Sequence, residues 1–181
     1  MPEEQELTGR VALVTGGSKG IGKATAIELA KRGAVAVINY HADRVGAEDT
    51  LARIQSFGGA GTIIQSDVGK LKECRELVET CLKLFGRIDI LVNNAAAFNR
   101  DHFLDVSSEE FDRLFNTNVR GVFYLSQLAA SDMVERKKGA IVHISSILAR
   151  LAVGGRSVYC ASKGAVESLT HAMAIDLAPY G

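Results

Sequence analysis

Tyr159 and Lys163 stand four residues apart in the stretch Ser157-Val158-Tyr159-Cys160-Ala161-Ser162-Lys163. On a helix that spacing puts both side chains on one face. A free phenol titrates near ~10 and is seldom ionised at neutral pH. An ammonium one turn away favours the phenolate and brings that value down. Such a phenol can give a proton to a carbonyl oxygen or take one from an alcohol. The same lysine can reach ribose hydroxyls. Ser146 lies thirteen residues before the tyrosine, just past the apolar run Ala140–Ile144, where it can hold a substrate oxygen. A Tyr-x-x-x-Lys pair by itself is usually an ordinary helix face. The serine at a strand end and a glycine-rich turn elsewhere in the chain reverse that reading.

That turn is Thr15-Gly16-Gly17-Ser18-Lys19-Gly20-Ile21-Gly22, preceded by the apolar run Val11-Ala12-Leu13-Val14. A helical rhythm follows in Ala24, Ile27, Leu29 and Ala30. The pattern reads as a buried parallel strand, a tight turn and a helix start. Gly16 can adopt a backbone conformation closed to other residues. Gly20 and Gly22 remove Cβ atoms where backbone approaches a ligand, or a helix approaches a strand. The free N–H groups of the helix start suit a pyrophosphate. The spacing departs from the plain dinucleotide fingerprint, and a ligand-free glycine turn is the alternative.

Other strand ends carry polar residues. Asn39-Tyr40-His41 follows the second strand and holds no acid. An acid there would accept from both ribose hydroxyls and repel a 2′-phosphate. Lys19 adds a cation, unless it is merely solvated. Both features favour NADPH over NADH. Asp67 could accept from an adenine amino group while Val68 covers the ring; a turn or cap aspartate is the alternative. Asn93-Asn94-Ala95-Ala96-Ala97 suits close backbone approach to a cofactor, or ties strand ends together, as Asn93 partly does. Asn118 interrupts an apolar stripe of Leu114, Phe115, Val122, Phe123 and Leu125. Asparagine competes for backbone hydrogen bonds in a helix. A local kink exposing a carbonyl to hold a water would give it a role; a surface position is the alternative.

These residues need a scaffold that gathers strand ends. Strand-like runs fall at 11–15, 35–39, 62–65, 88–92 and 140–144, with helices at 21–31, 44–56, 71–84, 108–134 and 158–177. Strands apolar on both faces, alternating with helices, predict an α/β, Rossmann-like, doubly wound parallel sheet covered on both sides. Ligands then sit beyond the carboxyl ends of the strands. Gly33, Gly58-Gly59 and Gly86 end the first three helices, and Ser107-Ser108 with Glu110 opens the fourth. With 181 residues and no linker or repeat, residues 1–181 read as one dinucleotide-binding domain.

Composition narrows the function classes. A formal net charge of zero gives no electrostatic case for nucleic acid or an anionic membrane. Arg136-Lys137-Lys138 reads as a solvated helix end. Cys74, Cys81 and Cys160 have neither metal-ligand nor redox spacing, so no metal is expected, and a reducing cytosol fits. The acidic start Met1 to Glu6 does not resemble a signal peptide. No run is apolar enough to span a bilayer. A soluble cytoplasmic protein is expected.

Together the motifs resemble the short-chain dehydrogenase/reductase family from about Leu7 onward. Thr15 to Gly22 looks like its cofactor turn, Asp67-Val68 its adenine contact and Asn93 to Ala96 its central-sheet motif. Asn118, Ser146, Tyr159 and Lys163 fall where the family carries its catalytic tetrad. The resemblance implies Tyr159 as general acid/base and Ser146 polarising the substrate carbonyl. It implies Lys163 on the nicotinamide ribose and Asn118 anchoring a water in a proton relay. The cofactor set would be Gly16, Ser18, Lys19, Gly20, Ile21, Gly22, Tyr40, Asp67, Val68, Asn94, Ala95, Ala96, Tyr159 and Lys163, with NADP(H) expected and NAD(H) possible.

The details look most like the 3-oxoacyl-carrier-protein reductase and glucose dehydrogenase branches. His143 stands where many members carry asparagine, and Ala96 replaces a commoner glycine. Leu177-Ala178-Pro179-Tyr180-Gly181 falls where members turn into a sixth strand. The resemblance therefore implies a fragment or truncated member lacking its C-terminal strands, with the edge at 140–144 exposed and prone to pair with another chain. A small carbonyl or alcohol substrate and a homo-oligomer, paired through helices 108–134 and 158–177, are implied. Phe98, Arg100, Leu148, Arg150 and Leu151 would shape an amphipathic substrate pocket. The competing reading is a non-catalytic nucleotide-binding or interaction fragment.

Overall fold

A computed structural model describes residues 6–181; the acidic start, Met1 to Gln5, lies outside the described residues. Strands β1 (Val11–Val14), β2 (Val35–Tyr40), β3 (Gly61–Gln65), β4 (Ile90–Asn93) and β5 (Ala140–His143) form one parallel sheet in the order β3-β2-β1-β4-β5. Helices α1 (Gly20–Lys31), α2 (Arg44–Ser56), α3 (Leu71–Phe85), α4 (Ser108–Phe115), α5 (Gly121–Glu135) and α6 (Ser157–Leu177) cross between and beyond the strands. The chain builds outward from β1 to β3, then returns to lay β4 on the other side of β1. That reversal opens a crevice between the carboxyl ends of β1 and β4.

All four residues of β1 are buried, as a strand covered on both faces must be. Its side chains alternate between two cores. Leu13 joins Val37 and Leu91 against Leu77, Val78 and Cys81 of α3 and Leu125, Ala129 and Met133 of α5. Val14 joins Ala36, Ile38 and Val92 against Ala26 and Ala30 of α1 and Ala47 and Ile54 of α2. Each large aliphatic residue fully buried here contributes roughly 1.5–3 kcal/mol. A third, smaller cluster of Ala97, Leu114 and Val158 joins α4 to α6, with Phe115 and Tyr159 against it.

Helix ends follow the sequence signals. The Ser107 side chain accepts from the Glu110 N–H at 3.2 Å, and Asp43 accepts from the Gly46 N–H at 3.0 Å. Gly33, Gly58 and Gly86 all have positive φ just past their helices. The expected helix over 108–134 is not continuous. One π-helical turn, Asn116–Arg120, separates α4 from α5. Its cause is tertiary: Asn118 is pulled inward by partners described below, and Gly121 must pass the Val68 carbonyl, 2.2 Å from where a Cβ would stand. The fourth strand begins later than expected: the Ile88 N–H and carbonyl are taken up by the side chains of Asp132 and Arg136.

Those contacts correct the reading of the basic cluster at 136–138. Arg136 is not a solvated helix end. It donates to Asp132 at 2.6 Å, to the Ile88 carbonyl at 2.6 Å and to Asp89 at 3.2 Å. Asp89, 4% exposed, also accepts from Arg10, from Arg87 and from the Val11 N–H. Burial works to raise its pKa, but the hydrogen bonds from Arg87, Val11 and Arg10 prevail and hold it at about 2. This knot pins the amino ends of β1 and β4 to α5, at the opposite end of the strands from the crevice.

β5 forms one edge of the sheet, and Val142 on it is 46% exposed. No helix among the described residues is long and apolar enough to cross a membrane.

Candidate active site

The crevice is walled by backbone and small side chains from four strand ends. Gly16, Ser18, Lys19, Tyr40, Asp67, Val68, Asn94, Ala95 and Ala96 line a cleft of about 430 Å³, together with Asn39, His41, Asp43, Ser66, Ala97, Arg113 and Thr117. Gly16 has a φ of +63° and lies so near Ala95 that an added Cβ would stand 3.0 Å from its Cα. A side chain there would enter the cleft wall. Gly20, Ile21 and Gly22 form the first turn of α1, whose leading N–H groups have no partner within the helix. Gly22 serves packing, since a Cβ there would stand 2.4 Å from both the Gly16 carbonyl and Asn94 Nδ2. It lets α1 start directly against the turn.

Two residues outside the expected set hold this turn in shape. Thr15 Oγ1 accepts from the N–H groups of Asn94 and Ala95, each at 3.0 Å. Asn94 Nδ2 donates back to the carbonyls of Thr15 and Gly16 at 2.9 and 3.1 Å. Asn39 accepts from the Gly16 N–H and donates to the Ser66 carbonyl at 3.1 Å, joining the turn to the ends of β2 and β3. Of the two neighbouring amides, Asn94 ties β4 to β1. Asn93 ties β4 to α5 and β5, through Ser126 at 3.0 Å and His143 Nδ1 at 3.2 Å. Burial, then the charge of Lys163, pushes the His143 pKa down, so its ring is neutral there.

Not every wall residue offers its side chain. Tyr40 and Val68 are 4% and 6% exposed and pack mainly in the two cores. One Asp67 oxygen accepts from the Gly69 N–H at 2.9 Å, a local turn bond; the other lies 3.6 Å from Lys70 and 3.9 Å from His41. Lys19 is exposed at the mouth. A cleft of this shape, with helix N–H groups at one end and no carboxylate directly after β2, fits a dinucleotide with its pyrophosphate over Gly16–Gly22.

The proton-transfer candidates Ser146, Tyr159 and Lys163 are not among the residues lining this cleft; they lie beyond it, after β5 and on α6. Tyr159 and Lys163 lie on one face of α6, with the Lys163 ammonium 5.8 Å from the centre of the Tyr159 ring. Lys163 is 4% exposed and donates to the Ile144 carbonyl at 2.6 Å, two residues before Ser146. Burial alone pushes its pKa down. Ser146 Oγ accepts from the Leu148 N–H at 3.1 Å, which leaves its own proton free to donate. Among the described residues nothing bonds the Tyr159 hydroxyl, whose ring stands edge-on to Phe98 at 5.1 Å.

Asn118 joins the two halves, and it is no surface residue. At 1% exposure it accepts from the Ala97 N–H at 2.7 Å and donates to the Ala97 carbonyl at 2.9 Å. Its amide also donates to Ser162 Oγ at 3.0 Å, and Ser162 donates to the Tyr159 carbonyl at 2.8 Å. A cleft-wall residue is thus bonded, through two side chains, to the backbone of the candidate acid.

The family model for short chain dehydrogenase matches residues 10–181. The chain belongs to the short-chain dehydrogenase family. It is 36% identical over 178 residues to tetrahydroxynaphthalene reductase of Pyricularia oryzae, covering 98% of this chain and 62% of that protein. Among solved structures it resembles a short-chain dehydrogenase from Burkholderia cenocepacia in complex with NADP, at 39% identity and a TM-score of 0.91. That match covers 97% of this chain and 71% of the other. It also resembles a metagenomic short-chain oxidoreductase in complex with NADP, at 30% identity and a TM-score of 0.94, covering 97% and 79%. The chain spans between 62% and 69% of the length of the first curated relatives it matches.

For this short-chain dehydrogenase the two buried cysteines, Cys74 and Cys81, offer no second chemistry. Burial pushes Cys81 up to about 12 and Cys74 up to about 11, so neither is a ready nucleophile. Thr15, Asn39 and Ser162 have no local signature. The partners that matter here, Ala95 for Thr15, Gly16 for Asn39 and Asn118 for Ser162, lie 80, 23 and 44 residues away.

Proposed function

We propose that this chain is an NADP(H)-dependent oxidoreductase that interconverts a carbonyl and a secondary alcohol, with 3-oxoacyl-like ketones as its first candidate substrates. On this reading residues 1–181 act as one dinucleotide-binding domain that takes a small-molecule substrate. When bound, NADPH supplies a hydride, two electrons and one hydrogen, to the carbonyl carbon. Tyr159 gives its proton to the carbonyl oxygen, and the alcohol leaves. Lys163 steadies the negative charge left on the phenol oxygen, and its place beneath the ring supports that role. Ser146 donates to the substrate oxygen and so helps polarise it. Asn118 holds the cleft wall against α6, and its water-anchoring role stays part of the proposal. Lys19, with no acid directly after β2, favours a 2′-phosphate over a free ribose.

One observation carries the reading: a buried lysine, fixed to the Ile144 carbonyl, stands one helical turn from an unbonded phenol, on a helix tied through Asn118 to the wall of the glycine-rich cleft. The test is a fluorescence titration of the chain with NADPH and with NADH, then NADPH oxidation with a 3-oxo ester. Tighter NADPH binding with turnover is expected, and Lys19→Ala should narrow the gap between the two cofactors. Binding without turnover across a panel of ketones would leave only a nucleotide-binding fragment.

A further inference from the structure

We infer that the substrate carries a carboxylate, bound by Arg156; this rests on the carbonyl reductase reading and names the class of carbonyl compound. Arg156 stands at the N-cap of α6, one turn before Tyr159. Its guanidinium carbon lies 3.7 Å from the centre of the Phe98 ring, and that ring packs edge-on against Tyr159. The cation is therefore one aromatic ring away from the phenol that protonates the substrate. It is also fixed. One nitrogen, Nη1, donates to the Asn99 carbonyl at 2.7 Å, and the flat group rests on the ring face.

Two neighbouring cations are already paired. Arg113 is paired with Glu110 at 2.7 Å and Arg150 with Glu167 at 2.9 Å. Asp101, the nearby acid, accepts from the Asn99 side chain at 3.1 Å. Among the described residues Arg156 has no carboxylate partner. Its remaining donors are unused, although a fixed guanidinium fork matches the planar geometry of a carboxylate. A purely structural role is a weaker account, because stacking and one carbonyl bond use a single nitrogen. An oxo acid fits: its ketone oxygen meets Tyr159 and its carboxylate crosses Phe98 to Arg156.

The experiment compares 4-oxopentanoate with its methyl ester, in the chain and in Arg156→Gln and Arg156→Lys, at low and high salt. For the chain itself, kcat/KM for the acid should exceed that for the ester by about tenfold or more, shrinking as salt rises. Arg156→Gln should bring the acid-to-ester ratio to about one, chiefly through KM for the acid. Arg156→Lys should keep an intermediate ratio, since charge remains but the fork is lost. An acid-to-ester ratio near one in the unaltered chain would overturn the inference without any variant. So would an equal loss on both substrates in Arg156→Gln. In both cases ester turnover leaves the reductase reading standing. Turnover of a 3-oxo ester with neither of these two substrates reduced would also overturn the inference, while NADPH binding with no ketone reduced would remove the reductase reading, and this inference with it.

Discussion

The Asn118 side chain grips Ala97 at both its N–H and its carbonyl, at 2.7 and 2.9 Å, and so fixes the cleft wall to the turn from which α6 is also held. Replacing it with alanine leaves both Ala97 groups and Ser162 without their partner in a buried place. Each unmet group costs about 1–3 kcal/mol. Asn118→Ala should therefore lower the urea midpoint clearly, and should weaken NADPH binding as the Ala95–Ala97 wall loosens. Unchanged stability and unchanged affinity would show that the clamp carries neither.

Gly22 gives a test of the turn itself. A methyl group there would meet the Gly16 carbonyl and Asn94 at 2.4 Å, and backbone cannot yield as a flexible side chain does. Gly22→Ala should cost about 1–3 kcal/mol in denaturant unfolding. NADPH affinity should fall with it, because α1 can no longer start where its N–H groups face the cleft. Full retention of affinity would contradict the placement of the pyrophosphate there.

Asp89 sets an acid limit to stability. Its ordinary pKa of 3.8 falls to about 2 in the folded chain. The unfolded chain therefore takes up the proton first as pH drops. Asp89's contribution is full above about pH 4 and fades as pH falls towards 2. At about 1.4 kcal/mol per pH unit it is worth roughly 2 kcal/mol. Asp89→Asn should lose about that much at pH 7, measured by urea unfolding, and should flatten the acid limb between pH 4 and 2. NADPH binding should be unaffected, since the knot lies at the far end of the strands.

How far the sequence could be read follows from which interactions are local. The five strands and the helix starts rest on neighbouring residues, and they stand within a few positions of their expected places. The same holds for the Tyr159–Lys163 face, which depends only on helical spacing. What escaped is what distance in the chain conceals. Thr15 bonds residues 79 and 80 positions away, and Ser162 meets Asn118 across 44. The π-helical turn at 116–120 has a single local cue, Asn118, which reads either as a kink or as a surface position; the choice is made from outside the helix, by Ala97 and Val68. Arg136 looked solvated because its buried acid, Asp89, lies 47 residues away. Arg156 escaped notice because a lone arginine before a helix says nothing until Phe98 is seen beneath it.

The central claim is that Tyr159 is the proton donor, and replacing it with phenylalanine tests this most directly. Phenylalanine keeps the ring and its packing against Phe98 and Lys163. NADPH affinity of Tyr159→Phe, measured by fluorescence titration, should stay within about twofold, while kcat for a 3-oxo ester falls by about a thousandfold. A Tyr159→Phe chain that oxidises NADPH with the ketone as fast as the parent would contradict the account.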